Sequence, residues 1–298
     1  MLVDVLVLRA LKIGDLLVAV PALRGLRRAF PRDRIVLAAP EGLAQLVALT
    51  GAVDELLPTP GLGALRYPGT PGVAVNLHGA GPESVADLLD TRPARLVTHR
   101  HPAFPEVAGP PWHEETHEVR RWCDLLTWHG IPADPSELRL ALPELPSVAP
   151  DAVVVHPGAS VESRRWPAER FAEVAGTLAA AGRHVVVTGS TGEIALAETV
   201  ARQADLPDDA VLAGHLDLTG LAALVAAAAL VVSNDTGVGH LATAYDTPSV
   251  VLFGPTPPDR WGPPADRPRH RALWAGTDGL RRLSTKDVLA AAEAVERA

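Results

Sequence analysis

The sequence contains a single cysteine, Cys123, and only two lysines among its 298 residues. One cysteine cannot form an intrachain disulfide or a cysteine-based metal cluster, so a disulfide framework is excluded. The residues around Cys123 have a helical pattern, and we expect a packed thiol there rather than a nucleophile. The shortage of lysine accompanies an abundance of arginine, alanine and proline, which is typical of codon bias.

Membrane-spanning runs and a secretion signal are also missing. The apolar region at residues 221–232 is too short to cross a bilayer. The N-terminus lacks a basic segment that is followed by an apolar stretch and a small-residue cleavage site. We therefore expect a cytoplasmic protein.

The sequence also lacks an excess of positive charge and three common ligand-binding motifs. The formal net charge is −8, which argues against a nucleic-acid-binding surface. The chain has no Asp-x-Asp, the motif that commonly binds a metal ion in contact with a sugar diphosphate. We therefore expect no metal and no other cofactor. The loop after the first predicted strand, residues 9–15, has neither the Gly-x-Gly-x-x-Gly fingerprint nor the Walker lysine pattern, which disfavours NAD and ATP P-loop sites.

The chain does contain enough apolar material for two domains. Hydrophobic residues make up 47% of the sequence, and two domains of about 150 residues can each bury a core. Strand-like runs alternate with helical periods along residues 3–129 and again along residues 152–297. Residues 131–150 carry five prolines and predict a linker. We predict two Rossmann-like α/β domains, residues 1–148 and 149–298, that face one cleft.

Residues 230–242 predict a buried strand, a polar turn and a helix that begins at once. Gly237 and Gly239 allow the backbone to approach a ligand, and the N–H groups at the start of the helix suit a phosphate. An ordinary β–α turn with a good cap is an equally open interpretation of this stretch alone.

Two further loops at the same predicted sheet edge carry suitable polar groups. Residues 156–167 combine small residues with Arg164 and Arg165, so this loop can wrap a diphosphate. Residues 188–193 place Glu193 where it can accept hydrogen bonds from hydroxyl groups.

In the first half, Asp15 follows Gly14 at the start of a predicted helix. It is either a helix N-terminal cap or a general base that faces the cleft.

The segment His113-Glu-Glu-Thr-His117 matches the His-Glu-x-x-His pattern of zinc proteases. It lies at a predicted helix start rather than inside an apolar helix, and no third ligand is patterned downstream. We therefore expect no metal here.

A set of motifs occurs in one order with suitable spacing along the chain. They are His156-Pro-Gly-Ala, Arg164-Arg-Trp-Pro167, Thr188-Gly-Ser, Ser233-Asn-Asp-Thr-Gly237 with His240, and Phe253-Gly-Pro-Thr256. Together with residues 9–15 and the following Pro21-Ala-Leu-Arg-Gly-Leu-Arg27, this arrangement resembles glycosyltransferase family 9, the heptosyltransferase family.

The resemblance implies an α/β GT-B fold with an acceptor-binding N-terminal domain and a nucleotide-sugar donor-binding C-terminal domain. The last helix, about residues 285–297, would return toward the N-terminal domain. The implied reaction is an inverting, metal-independent transfer of a heptose from an ADP-linked donor to an acceptor hydroxyl. Glycan, lipid-linked and small-molecule acceptors all remain open, as does peripheral contact with a membrane, and a monomer is expected.

The resemblance also assigns roles to individual residues. Asp15 falls on the catalytic base, Arg164 on the group that stabilises the departing diphosphate, and Glu193 on an acid that contacts the donor. The full set of expected donor-binding residues is Gly158, Ser160, Arg164, Arg165, Gly189, Glu193, Asp235, Thr236, Gly237 and His240. Lys12, His78 and His117 are the expected acceptor-side residues.

Some positions depart from the family's pattern. Asn76 and His78 stand where members often have an acid and a glutamine, which indicates a different acceptor. A GT-B-fold sugar-nucleotide epimerase or hydrolase remains an alternative, as does a protein that binds a nucleotide sugar without activity.

Overall fold

The computed structural model of the protein describes residues 3–277 and 279–298. The chain divides into two compact units, of which the first ends at Ala141 and the second begins at Leu142. The boundary drawn from the sequence was at residues 148 and 149, within the same proline-rich stretch.

The first unit is built on a five-stranded parallel sheet with the order β3-β2-β1-β4-β5. Its elements are β1 (Asp4–Leu8), α1 (Ile13–Val18), α2 (Val20–Ala29), β2 (Arg34–Ala39), α3 (Ala44–Leu49), β3 (Glu55–Pro58), β4 (Val73–Asn76), α4 (Pro82–Asp90), β5 (Arg95–Val97) and α5 (Glu118–Trp128). The central strand β1 is almost fully buried because it pairs with β2 and β4 and is apolar on both faces. Pro21 lies in the first turn of α2, where its missing N–H group costs no hydrogen bond. The helix is interrupted at Ala19, between α1 and α2.

The second unit has a parallel sheet with the order β10-β9-β8-β6-β7. Its elements are β6 (Val153–His156), α6 (Ala168–Ala180), β7 (Val185–Val187), α7 (Ile194–Gln203), α8 (Leu218–Ala226), β8 (Leu230–Asn234), α9 (Gly237–Tyr245), β9 (Ser249–Phe253), α10 (Pro258–Trp261), β10 (His270–Trp274) and α11 (Thr285–Glu296). The strand predicted at Val211 is reduced to one parallel bridge with Val187. With that bridge counted, the strand order is the 3-2-1-4-5-6 order of dinucleotide-binding Rossmann sheets.

The last helix, α11, packs on the second unit. It lies against α6 and against the strands β8, β9 and β10. Its start is held by a capping box in which Ser284 and Asp287 exchange hydrogen bonds. The return of this helix toward the first domain stays a prediction; these contacts are with the second unit.

The apolar core of the second unit fills the space between the sheet and its helices. Trp166, just before α6, is 2% exposed and contacts Phe171 edge-on with ring centroids 5.1 Å apart. Its indole Nε1 donates to the carbonyl of Leu283 at 3.1 Å, which joins the loop before α6 to the loop before α11. Among the described helices, none combines the length and the apolar character that crossing a bilayer requires.

Two buried histidines make the stability of the fold sensitive to acid. Burial lowers the pKa of His99, which packs edge-on against Trp112, to about 4. Burial likewise lowers the pKa of His270 to about 4, although Asp246 opposes this shift. The unfolded chain takes up these protons near pH 6.5, so it binds more protons than the folded protein between about pH 6.5 and pH 4.

The free energy of unfolding is therefore expected to be highest above pH 6.5 and to fall as the pH drops toward 4. Each histidine accounts for roughly 3 kcal/mol of that loss. Urea unfolding of the full chain at pH 7.5 and pH 5 measures about 2 kcal/mol of it for each histidine, because only about 1.5 of the pH units between the two pKa values are covered. His270→Asn should reduce the difference between the two pH values, and an unchanged difference in that variant contradicts the assignment.

Candidate functional site

The strand orders of both sheets define where ligands are expected. The order reverses between β1 and β4 in the first unit and between β6 and β8 in the second. In open α/β sheets, ligands bind beyond the carboxyl ends of the strands at such a switch point. The residues that follow these four strands are therefore the ones to consider.

At the switch point of the second sheet, Asn234 links three chain segments. Its side-chain Nδ2 donates to the carbonyl oxygens of Pro157 and Gly158 at 2.8 and 3.2 Å, and its Oδ1 accepts from the backbone N–H of Trp166 at 3.0 Å. Asn234 is fully buried. The loop at residues 157–166 is therefore fastened at both ends to the last residue of β8.

The carboxylate of Glu193 lies directly against Gly158. A Cβ atom at position 158 would collide with the Glu193 carboxylate, so a larger residue there would displace that carboxylate. Glu193 Oε2 accepts from the backbone N–H and the hydroxyl of Ser190, both at 2.8 Å. Burial raises the pKa of Glu193, but the Ser190 hydrogen bonds and the nearby His156 and Arg165 bring it below its ordinary value. Glu193 is therefore ionised and can accept hydrogen bonds, and it lies beside the backbone of Gly158.

Arg164 and Asp235 form an ion pair at the same switch point. Arg164 Nη2 lies 2.5 Å from Asp235 Oδ2, and the side chains are 31% and 7% exposed. The carboxylate is therefore buried with a partner while the guanidinium reaches solvent, where a second anion can contact it. The neighbouring Arg165 is turned away from this pair, because its Nε and Nη2 both donate to the carbonyl of Ala159 at 3.0 and 2.8 Å.

The start of α9 presents unsatisfied polar groups. The hydroxyls of Ser233 and Thr236 are buried and have no hydrogen-bond partner within the described residues. Thr236 is the N-cap residue, and the helix begins at Gly237. Free N–H groups and the positive end of the helix dipole at such a start favour an anion.

His240 lies one turn into α9, half-buried. Its ring is 6.3 Å from the ring of Trp261 at an angle of 67°, so α10 supports it. Gly189 lies near the start of the loop after β7, where a Cβ atom would stand 3.1 Å from the Cβ of Glu193. Ser160 is exposed in the loop that Asn234 fastens. Every predicted donor-side residue is thus in the loops or helix starts at the carboxyl edge of one sheet.

At the switch point of the first sheet, Asp15 occupies the first turn of α1. Its Oδ2 accepts from the backbone N–H of Lys12 at 3.1 Å, so the capping role considered for it is present. Its Oδ1 lies 3.8 Å from Arg9 Nη2, and the side chain is 23% exposed. The side chain of Lys12 points to solvent. Capping thus uses one carboxylate oxygen of Asp15 and leaves the other open.

Asn76, the last residue of β4, is fully buried. Its amide donates to Ser84 Oγ and Thr98 Oγ1 at 3.0 and 3.1 Å, and its Oδ1 accepts from the backbone N–H of His78 at 3.0 Å. Asn76 therefore shapes the turn that carries His78.

His78 is half-buried beside the same turn. Burial and the charge of Arg9 lower its pKa, while Asp15 opposes the shift, so the imidazole is neutral at pH 7. Its Nδ1 is buried and has no partner within the described residues, which leaves one acceptor or donor for a ligand.

His117 is the N-cap of α5, and its Nδ1 accepts from the backbone N–H of Val119 at 3.2 Å. The His-Glu-x-x-His match precedes that helix, so His113 and His117 do not share a helical face. Arg121 holds the segment instead, with hydrogen bonds to the carbonyls of residues 113, 114 and 116.

Comparison with known proteins agrees with this arrangement. The family model for glycosyltransferase family 9 (heptosyltransferase) matches residues 110–285, more than half of the chain. The chain belongs to glycosyltransferase family 9. It is therefore a glycosyltransferase.

Individual relatives extend over most of the chain. Lipopolysaccharide heptosyltransferase 1 of Escherichia coli K12 is 27% identical over 293 residues, which cover 85% of this chain and 88% of that protein. A family 9 glycosyltransferase from Veillonella parvula superposes with a TM-score of 0.82 at 21% identity, covering 99% and 97% of the two chains. E. coli ADP-heptose lps heptosyltransferase II superposes with a TM-score of 0.79 at 21% identity, covering 99% and 98%. The two superpositions confirm the predicted GT-B α/β fold.

Sequence analysis assigned no individual role to two residues of these sites, Arg9 and Asn234, although both lie within its motifs. Arg9 directly follows the apolar run of a predicted central strand, and Asn234 follows another such run after one serine. That position was the available signal, because a polar side chain at the end of a buried strand must find partners. Which partners it finds depends on loops distant in sequence.

Replacing Asn234 by Ala should loosen the donor-side loop of this family 9 protein. The change leaves the Trp166 N–H and two carbonyls without partners, which should lower the free energy of unfolding by about 2–4 kcal/mol. Binding of a nucleoside diphosphate should weaken by about tenfold because the loop is no longer preorganised. Urea unfolding and calorimetric titration measure the two effects.

The matched control is Asn76→Ala, the equivalent change in the first unit. It should lower stability while leaving nucleoside diphosphate affinity unchanged. Equal weakening of binding in both variants would show that the loss is not specific to the loop at residues 157–166.

Proposed function

We propose that this protein is an inverting, metal-independent heptosyltransferase that uses ADP-heptose. The observation that carries the proposal is the Arg164–Asp235 pair next to the unpartnered Thr236 hydroxyl at the start of α9. That combination suits a nucleoside diphosphate, and relatives in the same family are named for heptose transfer. A solved relative of similar fold, E. coli heptosyltransferase WaaC, holds ADP.

The diphosphate of the donor lies at the start of α9 in this proposal. The helix N–H groups and Thr236 Oγ1 donate to the phosphate oxygens, and Arg164 supplies the positive charge. Glu193 is an ionised acceptor beside Gly158, so it accepts hydrogen bonds from hydroxyl groups of the nucleotide. The protein therefore offers hydrogen-bond donors to the phosphates of the sugar nucleotide and a hydrogen-bond acceptor to its hydroxyl groups.

Departure of the nucleotide requires stabilisation of negative charge. As the bond between the anomeric carbon and the diphosphate oxygen breaks, its electron pair remains on the diphosphate. Arg164 and the positive end of the α9 dipole lie where they offset that charge. A bound metal ion is not needed for this step, so the protein is proposed to work without one.

Asp15 is the proposed general base. Its Oδ1 accepts the proton of the acceptor hydroxyl while that oxygen forms a bond to the anomeric carbon of the donor. The electron pair of the breaking O–H bond forms the new glycosidic bond, and ADP leaves from the opposite face. A single displacement of this kind inverts the anomeric configuration.

The acceptor is proposed to be a sugar hydroxyl of a lipopolysaccharide-type glycan. The support is the naming of several relatives as lipopolysaccharide heptosyltransferases. His78 lies in the turn after β4, and its imidazole is neutral at pH 7. We propose that its Nδ1, which has no partner within the described residues, contacts the acceptor. We also propose a cytoplasmic monomer that contacts a membrane peripherally when its acceptor is lipid-linked.

The donor assignment predicts selective binding of ADP-sugars in the presence of EDTA. A thermal-shift panel of ADP-, GDP-, UDP- and TDP-sugars should give its largest rise in Tm with ADP-heptose. Transfer to a lipopolysaccharide-type acceptor should proceed in the same buffer. A requirement for added divalent metal, or a preference for another nucleotide, contradicts the proposal.

Arg164 and Arg165 provide a matched pair for that experiment. Arg164→Met should reduce ADP affinity by at least tenfold and slow transfer, because the charge that faces the diphosphate is lost. Arg165→Met should have a smaller effect on ADP affinity, because its guanidinium bonds to Ala159.

The base assignment predicts that Asp15→Asn abolishes transfer. The variant should lose a factor of about 10²–10⁴ in kcat, the usual contribution of a general base, while ADP-heptose affinity stays within a few-fold. Initial rates of ADP release measure kcat, and calorimetry measures binding.

Asp287→Asn is the control for the capping role that Asp15 also plays. Asp287 accepts from the backbone N–H of Ser284 at 3.1 Å at the start of α11, in the same helix-capping position. This variant should keep its transfer activity. Full activity in Asp15→Asn would rule out the base.

A further inference from the structure

Arg9 is an arginine buried at the end of the central strand of the first sheet. Its side chain is 1% exposed. Burial lowers the pKa of Arg9 to about 10, although the charges of Asp15 and Glu118 oppose this shift. Burying a guanidinium away from water costs free energy unless hydrogen bonds and nearby negative charges compensate for the lost hydration.

The guanidinium joins the two loops of the first switch point. Arg9 Nε donates to the backbone carbonyl of Asp15 at 2.6 Å, and Nη1 donates to the carbonyl of Leu77. One loop follows β1 and carries Asp15; the other follows β4 and carries His78. Cζ of the guanidinium lies over the ring of Trp122, 4.7 Å from its centroid.

The third nitrogen of Arg9 faces the carboxylate of Asp15 without bonding to it. Nη2 lies 3.8 Å from Asp15 Oδ1, beyond hydrogen-bond distance, and has no other partner within the described residues. Asp15 Oδ2 is held by the Lys12 N–H. The carboxylate is thus oriented through Oδ2 and through its own backbone, while Oδ1 has a positive charge nearby and no hydrogen bond to any residue that the structure describes.

We infer that Arg9 is the positioning residue of Asp15. It fixes the backbone that carries the carboxylate and leaves Oδ1 open to take a proton. The inference rests on the proposed role of Asp15 as general base. Arg9 itself touches neither donor nor acceptor in this assignment and acts only through Asp15.

The test compares Arg9→Met and Arg9→Lys in the full-length protein. Methionine fills much of the volume without charge, and it should lower kcat by about 10²-fold, the cost of a misplaced catalytic group, while the KM for ADP-heptose changes less than about threefold. Lysine restores the charge and one hydrogen bond, and should recover at least about tenfold of the lost kcat.

Arg27→Met is the matched control. Arg27 also donates to backbone carbonyls, those of residues 30, 33 and 52, and pairs with Asp54, but these groups lie around the amino ends of β2 and β3. The variant should lose stability and keep kcat within about threefold. If Arg27→Met loses as much kcat as Arg9→Met, the effect of Arg9 is general destabilisation and the inference is overturned.

A double-mutant cycle separates this inference from the base assignment. In an Asp15→Asn background, Arg9→Met should reduce the remaining rate by less than about threefold, because the group through which it acts is already lost. A further loss of about 10²-fold overturns the inference about Arg9. Asp15→Asn with full activity overturns the proposed function instead, whatever Arg9→Met does.

Discussion

The arrangement of polar groups at the switch point of the second sheet depends on the hydrogen bonds of one buried amide, that of Asn234. A fully buried amide must satisfy both its donor and its acceptor groups. Here the partners are the two ends of the loop at residues 157–166, so satisfying one side chain also closes the loop. The closed loop carries Arg164 to Asp235 and leaves Gly158 against Glu193. The polar groups of the site are thus arranged before any ligand arrives.

The first unit uses the same device in the equivalent place. Asn76 ends β4 as Asn234 ends β8, and each of these strands lies beside the first strand of its own sheet. Both amides are fully buried and both hold a neighbouring turn by its backbone. We had considered Asn76 as a sign of an unusual acceptor. Its bonds to Ser84 and Thr98 give it a structural role, and of the two departures His78 is the one with an open ring nitrogen.

Much of the fold could be predicted from the sequence, because apolar runs and helical periods are local properties. The alternation of strands and helices, the proline-rich junction and the break at Pro21 all follow from neighbouring residues. The partners of Arg9, Asn234 and α11 could not be predicted, since those contacts join segments that are distant in sequence, such as Thr285 and Glu173, which are 112 residues apart. The strand predicted near Val211 is a single bridge with Val187 in the structure.

The ion pair between Arg164 and Asp235 has a consequence for which anions can occupy the site. With its counterion built in, the guanidinium is not an unpaired positive charge for the salts of the cell. Under the proposed function, a ligand shares the guanidinium with a carboxylate 2.5 Å away. A simple inorganic anion brings only its charge to that shared contact. A sugar nucleotide also brings hydroxyl groups for Glu193, so the pair acts as a threshold that favours the larger molecule.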